Sequence, residues 1–140
     1  MMPSEQEFGA VALDSWETNA SFWDNSIGKD GNIYWQKLQE PSLRRLLGEH
    51  LQRQRGEERC RALDLATGNG LCARWLAKHG ADVMATDGSE NMLKIAREQT
   101  GKEMGNIQFR KLDVTQKEDF DALVDAVVCF LGHGDYGARR

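Results

Sequence analysis

The strongest constraint in this chain is a short, mostly apolar run, Cys60 to Leu65, that ends in a turn of small residues, Ala66-Thr67-Gly68-Asn69-Gly70. A run of this length stopped by glycines suits a strand buried on both faces of a parallel sheet. Leu71, Trp75 and Leu76 then follow at helical spacing, and the pattern stops at Gly80, a good residue for a helix C-terminus. Asp82 to Thr86 reads as a second strand, broken at Asp87-Gly88. Ser89 is placed to cap a helix that turns Met92, Leu93 and Ala96 inward and runs to about Thr100. Ile107 to Leu112 reads as a third strand ending at Asp113, and Val124 to Phe130 as a fourth. One helical turn is expected in the acidic connection between them, around Gln116 to Phe120. The alternation predicts an α/β fold with helices on both faces of the sheet. Right-handed crossovers give the strand order 3-2-1-4.

The residues before this core have another character. Residues 1–14 read as a loose leader, and residues 15–58 as a helical cap rich in aromatics, with Trp16, Phe22, Trp23 and Trp35. A turn is expected at Gly28-Lys29-Asp30-Gly31-Asn32. Trp35, Leu38, Leu43, Leu46 and Leu47 then suit one helix face, and Pro41 interrupts that stretch, giving two short helices with Pro41 near the start of the second. Residues 59–130 form the α/β core, and residues 131–140 an irregular, Gly-rich tail.

Composition limits the partners. A formal charge of −4 offers no basic face for a nucleic-acid backbone, so none is expected. Three cysteines without a C-x-x-C pair argue against a disulfide framework or a zinc site, and for a reducing compartment. No metal is therefore expected. The longest apolar run, Ala126 to Leu131, is far below the ~20 residues that a spanning helix needs. With no secretory signal at the N-terminus, the expected location is the cytoplasm and no membrane partner is expected.

In an open parallel sheet, ligands bind at the carboxyl ends of the strands where the strand order reverses. The 66–70 turn, Asp87 and Asp113 all stand at such ends. Small residues at Ala66, Gly68 and Gly70 give clearance for a nucleoside cofactor lying against the backbone, while Thr67 and Asn69 point away or contribute hydrogen bonds. Asp87 can accept hydrogen bonds from two vicinal ribose hydroxyls, and Asp113 can accept from an exocyclic adenine amine. Gly68-x-Gly70-x-x-Ala73 also matches the dinucleotide fingerprint, which keeps a nicotinamide-dependent oxidoreductase open. Three features weigh against it. Asp64 stands where dinucleotide binders usually have an apolar residue, and Asp87 falls short of the ~20-residue spacing of that fingerprint. About sixty residues also precede the first strand, where dinucleotide domains often begin near the chain start.

The stretch from Ala62 through Asp64-Leu65-Ala66-Thr67-Gly68-Asn69-Gly70 to Thr86-Asp87-Gly88-Ser89-Glu90-Asn91-Met92-Leu93 resembles the first two motifs of class I S-adenosylmethionine-dependent methyltransferases. It is most similar to their small-molecule branch. Asn19-Ala20-Ser21-Phe22-Trp23-Asp24 resembles that branch's N-terminal helix, and Leu112-Asp113-Val114 with Asp125 to Cys129 its third and fourth strands. Ala66 departs from the commoner glycine. The resemblance implies a Rossmann-like sheet, S-adenosylmethionine as cofactor, and a small-molecule methyl acceptor. It also implies roles. Asp64 would reach the cofactor's amino group, while Ala66, Gly68 and Gly70 line its methionine part. Asp87 would hold the ribose, Gly88 and Met92 flank the adenosine, and Asp113 with Val114 frame the adenine. Trp23, with Phe22, would cover the sulfonium through cation–π attraction.

That family's sheet has seven strands, and this chain is expected to carry four, an incomplete and C-terminally shortened version. Strand four would then be an exposed edge able to pair with a second copy, and the chain could bind cofactor while inactive alone. An inert module that keeps the fold and works through that edge is the third open reading. No general base is assigned. His50, His79 and His133 qualify by type alone, and His79, at a helix end, suits a structural role.

Overall fold

Three successive residues of the first strand, Ala62, Leu63 and Asp64, are all buried, so this strand is covered on both faces and belongs at the centre of a parallel sheet. The computed structural model describes residues 2, 4–52, 59–113 and 126–129, the last four by main chain only. β1 (Arg61–Leu65) lies between β2 (Asp82–Asp87) and β4 (Ala126–Cys129), and β3 (Ile107–Lys111) pairs with the far side of β2. The order is β3-β2-β1-β4 with every pairing parallel. Leu63 stands opposite Met84 on one side and Val127 on the other. The chain steps outward from β1 to β3 and then returns to the other flank of β1. The reversal therefore falls at the carboxyl end of β1.

Helices α4 (Leu71–Lys78) and α5 (Glu90–Gln99) make the crossovers. α4 buries Cys72, Ala73, Trp75 and Leu76 in a core shared with Val83 and Ala85 of β2. α5 buries Met92, Leu93 and Ala96, and its first turn is capped by the Ser89 hydroxyl, which accepts the Met92 N–H at 3.1 Å.

The N-terminal part departs from expectation twice. The loose leader expected over residues 1–14 is instead helical from Glu5, because α1 spans Glu5–Thr18. Ser4 and Glu7 form a capping box: the Ser4 hydroxyl accepts the Glu7 N–H at 3.3 Å, and the Glu7 carboxylate accepts the Ser4 N–H at 2.6 Å. A short link at Asn19 leads to α2 (Ala20–Ile27), which ends at Gly28 with φ 77°. The second departure is at Pro41, which stands near the start of a helix as expected but with no break before it. A π-helical segment, Trp35–Gln39, runs directly into α3 (Glu40–Gln52). Proline donates no hydrogen bond, and its ring crowds the carbonyl four residues back. Widening the preceding turn relieves that crowding, and the Glu40 N–H accordingly reaches back to the Trp35 carbonyl.

The widened turn also shifts the faces. Trp35 and Leu51 are buried, and Leu43 and Leu47 pack against the same core. Leu38 and Leu46, expected on that face, are 63% and 62% exposed. Leu51→Ala is therefore expected to cost about 2–4 kcal/mol in denaturant unfolding, while Leu38→Ala and Leu46→Ala stay within about 0.5 kcal/mol. A large loss from Leu38→Ala would mean that the helix keeps ordinary α-spacing through Pro41.

Candidate functional site

The turn after β1 places residues 66, 68 and 70 in left-handed backbone conformations, with φ of 55°, 57° and 82°. Two are glycines, for which this region carries no steric penalty. Ala66 is the only residue other than glycine with positive φ among those described. The turn is pinned to β2 by the Thr67 N–H, which donates to the Thr86 carbonyl at 2.8 Å. Gly68 is bare on its side-chain side, where a Cβ would meet only Met92 Cε, at 3.4 Å. Gly70 is different. A Cβ there would come 2.9 Å from the Arg74 guanidinium and 3.2 Å from Ala96 Cβ, so its small size serves the close approach of α4 to α5. Asn69 also turns inward. Its Nδ2 donates to Asp24 Oδ1 and to the Gly28 carbonyl, both at 3.1 Å, and its Oδ1 accepts the Leu71 N–H at 3.2 Å.

Two carboxylates flank the turn. Asp64 is completely buried. Its Oδ2 accepts the Thr67 hydroxyl at 2.8 Å, and its Oδ1 has no partner among the described residues. Burial pushes its pKa up to about 7 and the nearby charge of Asp87 adds to the rise, against the Thr67 hydrogen bond and the Ala73 main chain, which favour the ionised form. Asp87 ends β2 and holds the turn from the other side. Its Oδ2 accepts the Gly68 N–H and its Oδ1 the Ser89 N–H, each at 2.9 Å. Burial raises its pKa too, partly offset by those main-chain donors. Asp113, half-buried, stands just past the end of β3 at this same edge of the sheet, after Leu112, whose N–H donates to the Asp87 carbonyl at 3.0 Å. Val114 and His133 lie outside the described residues.

The N-terminal helices close over this edge. A Cβ on Gly88 would come within 2.9 Å of Leu13 Cδ1, so α1 rests on the residue that follows Asp87. Glu17 accepts the Ser89 hydroxyl with Oε2 and the Asn91 N–H with Oε1, the latter at 3.1 Å. Asp24 of α2 accepts from Asn69 and, at 2.6 Å, from Gln99 Nε2. Arg74 is buried beneath the turn, where it donates to the Asn69 carbonyl at 2.7 Å and the Lys29 carbonyl at 2.9 Å. Trp23 is half-buried, its ring 5.1 Å from that of Trp16 and edge-on to Phe22 at 5.5 Å. Met92 is buried facing Gly68. His79 is engaged elsewhere: it caps α4, its ring lies 4.2 Å from that of Trp75, and its Nδ1 is 2.8 Å from the Trp75 carbonyl. His50 is exposed in α3.

Glu17, Arg74 and Gln99 were not legible as site residues, since all their partners but Asn69, five residues before Arg74, lie 25 to 75 positions away. Arg74 alone left a sign: it is a charge set among Cys72, Ala73, Trp75 and Leu76 on an otherwise apolar helix face. Among the described residues no three His, Cys, Asp or Glu side chains group to hold a metal, and no helix is long and apolar enough to cross a membrane.

A family described as a methyltransferase domain matches residues 62–138. The chain is 31% identical over 119 residues to ubiquinone biosynthesis O-methyltransferases from two strains of Coxiella burnetii, covering 81% of this chain and 46% of theirs. It is 28% identical over 127 residues to the glycine/sarcosine N-methyltransferase of Halorhodospira halochloris, covering 89% of this chain and 40% of that one. The chain thus spans less than half the length of these curated relatives. Among solved structures, DhpI in complex with SAH superposes with a TM-score of 0.67 at 27% identity, over 90% of this chain and 54% of DhpI. Magnesium protoporphyrin IX methyltransferase (ChlM) from Synechocystis PCC 6803, with bound SAH, shares the fold at 21% identity, with a TM-score of 0.65 over 86% of this chain and 57% of that one.

The two strained ends of the turn respond in opposite ways. Ala66→Gly removes a left-handed penalty and is expected to stabilise by about 0.5–1 kcal/mol, net of the extra chain entropy of glycine. Gly70→Ala adds that penalty and a clash with Ala96, and is expected to destabilise by about 2–3 kcal/mol. Urea midpoints of the two variants check both signs.

Proposed function

The chain belongs to the class I S-adenosylmethionine-dependent methyltransferases, and from that premise we propose that its crevice holds S-adenosylmethionine and presents the methyl group to a small-molecule acceptor. The observation that carries the reading is the unpartnered Asp64 Oδ1. A buried carboxylate oxygen without a donor is costly, and a cationic donor at the crevice removes that cost. The α-ammonium of the cofactor's methionine is such a donor. Asp64 binds it directly or through one water.

The remaining residues divide the work. Ala66, Thr67 and Gly68 line the methionine part with bare backbone, and Gly70 and Asn69 hold the turn in shape from behind. Asp87 spends one hydrogen bond per oxygen on the main chain, which leaves lone pairs for two ribose hydroxyls. Gly88 and Met92 flank the adenosine, Asp113 and Val114 frame the adenine, and Trp23 covers the site from α2. When bound, the cofactor supplies an electrophilic methyl group on a sulfonium. The chain's own contribution is alignment and exclusion of water.

A small-molecule acceptor is supported by the names of the curated relatives, which describe O- and N-methylation in ubiquinone biosynthesis and of glycine and sarcosine. The net charge of −4 points the same way, away from nucleic acid.

Calorimetry with S-adenosylhomocysteine and with NAD tests the reading. One site for the first and none for the second is expected, and a preference for NAD would establish a nicotinamide-dependent oxidoreductase instead. An ammonium favours the ionised form of Asp64, so affinity is expected to fall as pH drops through about 7, by up to about tenfold per unit. Asp64→Asn should weaken binding about tenfold or more at pH 8 and abolish most of this slope. A slope unchanged in Asp64→Asn would remove Asp64 from the ligand's neighbourhood.

Stability of the free protein carries the opposite sign. The folded pKa of Asp64 lies above its ordinary value of 3.8, so its contribution is fully present below that value and is lost as pH rises through about 7. The melting temperature without ligand is expected to fall between pH 5 and pH 8, and S-adenosylhomocysteine to recover more of it at pH 8 than at pH 5. A melting temperature that rises over this interval would contradict the burial of Asp64.

A further inference from the structure

We propose that Glu17 is a positioning residue for the cofactor's ribose, acting on Asp87 through Ser89. The inference rests on the reading that Asp87 holds ribose hydroxyls. It concerns how that carboxylate is kept in place.

Asp87, Gly88 and Ser89 form the link between β2 and α5. The Ser89 N–H donates to Asp87 Oδ1 at 2.9 Å, and its hydroxyl donates to Glu17 Oε2. The same hydroxyl oxygen accepts the Met92 N–H at 3.1 Å. Ser89 is completely buried, so water cannot replace any of these partners. Glu17 is held in turn. Its second oxygen accepts the Asn91 N–H at 3.1 Å, and its carbonyl accepts Asn91 Nδ2 at 3.0 Å. Leu13, one turn earlier in α1, lies against Gly88. The link is therefore clamped by one helix at two successive residues, 88 and 89.

The chemistry of the clamp selects a carboxylate. Ser89 Oγ is already accepting from Met92, so its proton must go outward to an acceptor. The Asn91 N–H, in the first turn of α5, needs an acceptor as well. Both are met by the two oxygens of one ionised side chain, and the first turn of a helix favours negative charge. Without Glu17, the Ser89 main chain loses its anchor and Asp87 Oδ1 loses a fixed donor. The carboxylate then keeps the Gly68 N–H and the Gly88 main chain but loses the donor that fixes Oδ1, and it can rotate away from the direction in which a ribose diol would meet it.

The experiment compares two ligands on the full chain: S-adenosylhomocysteine and its analogue lacking the 2′ and 3′ hydroxyls. The wild-type protein should prefer the first by tenfold or more, on the order of two hydrogen bonds to a charged group. Glu17→Ala should weaken S-adenosylhomocysteine about tenfold and change the dideoxy analogue less than about twofold, so that the preference collapses. Glu17→Gln keeps one acceptor and should recover part of the preference. It also serves as the test if Glu17→Ala does not fold. An equal loss for both ligands would make Glu17 a helix cap and nothing more, and an unchanged preference would likewise overturn the inference. If the wild-type protein binds S-adenosylhomocysteine without preferring it to the analogue, the ribose role of Asp87 is what fails, before Glu17 is reached.

Discussion

A buried guanidinium under the turn after β1 ties the N-terminal helices to the sheet and its crossover helices. Arg74 projects from α4 and donates to carbonyls on both sides of a junction: Asn69, in the turn after β1, and Lys29, in the loop after α2. Removing such a charge from water is costly, and the cost is recovered only when its donors are satisfied and counter-charges stand close. Burial draws the Arg74 pKa down, while Asp24 and Asp30 act against that. Asp24 also receives Asn69 and Gln99, so one carboxylate links α2, the turn and the end of α5. Cap and core are thus joined by polar contacts that none of them satisfies alone. Gly70 belongs to this arrangement, because a side chain there would occupy the space of the guanidinium.

The joint determines what the crevice can hold. With the turn fixed from behind, its open side offers bare backbone at Gly68 and the carboxylate of Asp87, and the unpartnered oxygen of Asp64 is buried beneath them. Burial raises the pKa values of two neighbouring acids, Asp64 and Asp87, so the ionised form of each is disfavoured where it stands. In the proposed site, a ligand that brings a cation to one and hydroxyl donors to the other would relieve that penalty. The helices above, α1 and α2, reach the same edge through Leu13, Glu17 and Asp24, so the roof of the site is bonded to its walls.

Much of this was legible because local chemistry coincides with the fold. Apolar runs stopped by glycine or aspartate mark β1, β2 and β3 to within a residue or so, and Ser89 marks the start of α5. Strand ends converge in any parallel sheet, which brings Asp64, the turn, Asp87 and Asp113 to one edge without knowledge of side-chain contacts. The start of α1 was readable as well, since Ser4 and Glu7 stand at capping-box spacing, but the acidic, weakly apolar leader hid it. The π-helical turn before Pro41 was not readable, because a proline signals a break and a widened turn equally, and only packing decides between them. From sequence, Asn69 points away or contributes hydrogen bonds and Gly70 gives clearance; their neighbours Asp24, Arg74 and Ala96 are contacts made only by tertiary structure.

The direction of Asn69 also separates the two cofactor classes that share the Gly-x-Gly pattern. A dinucleotide fold brings a pyrophosphate to the first turn of the helix after β1, where free main-chain N–H groups and the helix dipole attract anions. Here the Asn69 side chain accepts the Leu71 N–H at 3.2 Å, and its amide is held in place by Asp24 and the Gly28 carbonyl. One of the donors that a phosphate would need is already taken. An anion entering the turn would also meet Asp64 and Asp87, two acids with no basic side chain bonded to either. Repulsion between like charges in a poorly solvated crevice costs more than a helix terminus returns. In the proposed site the same acids would attract an ammonium and accept from ribose hydroxyls. The fingerprint fits two chemistries, and the charges around it favour the cationic, phosphate-free nucleoside.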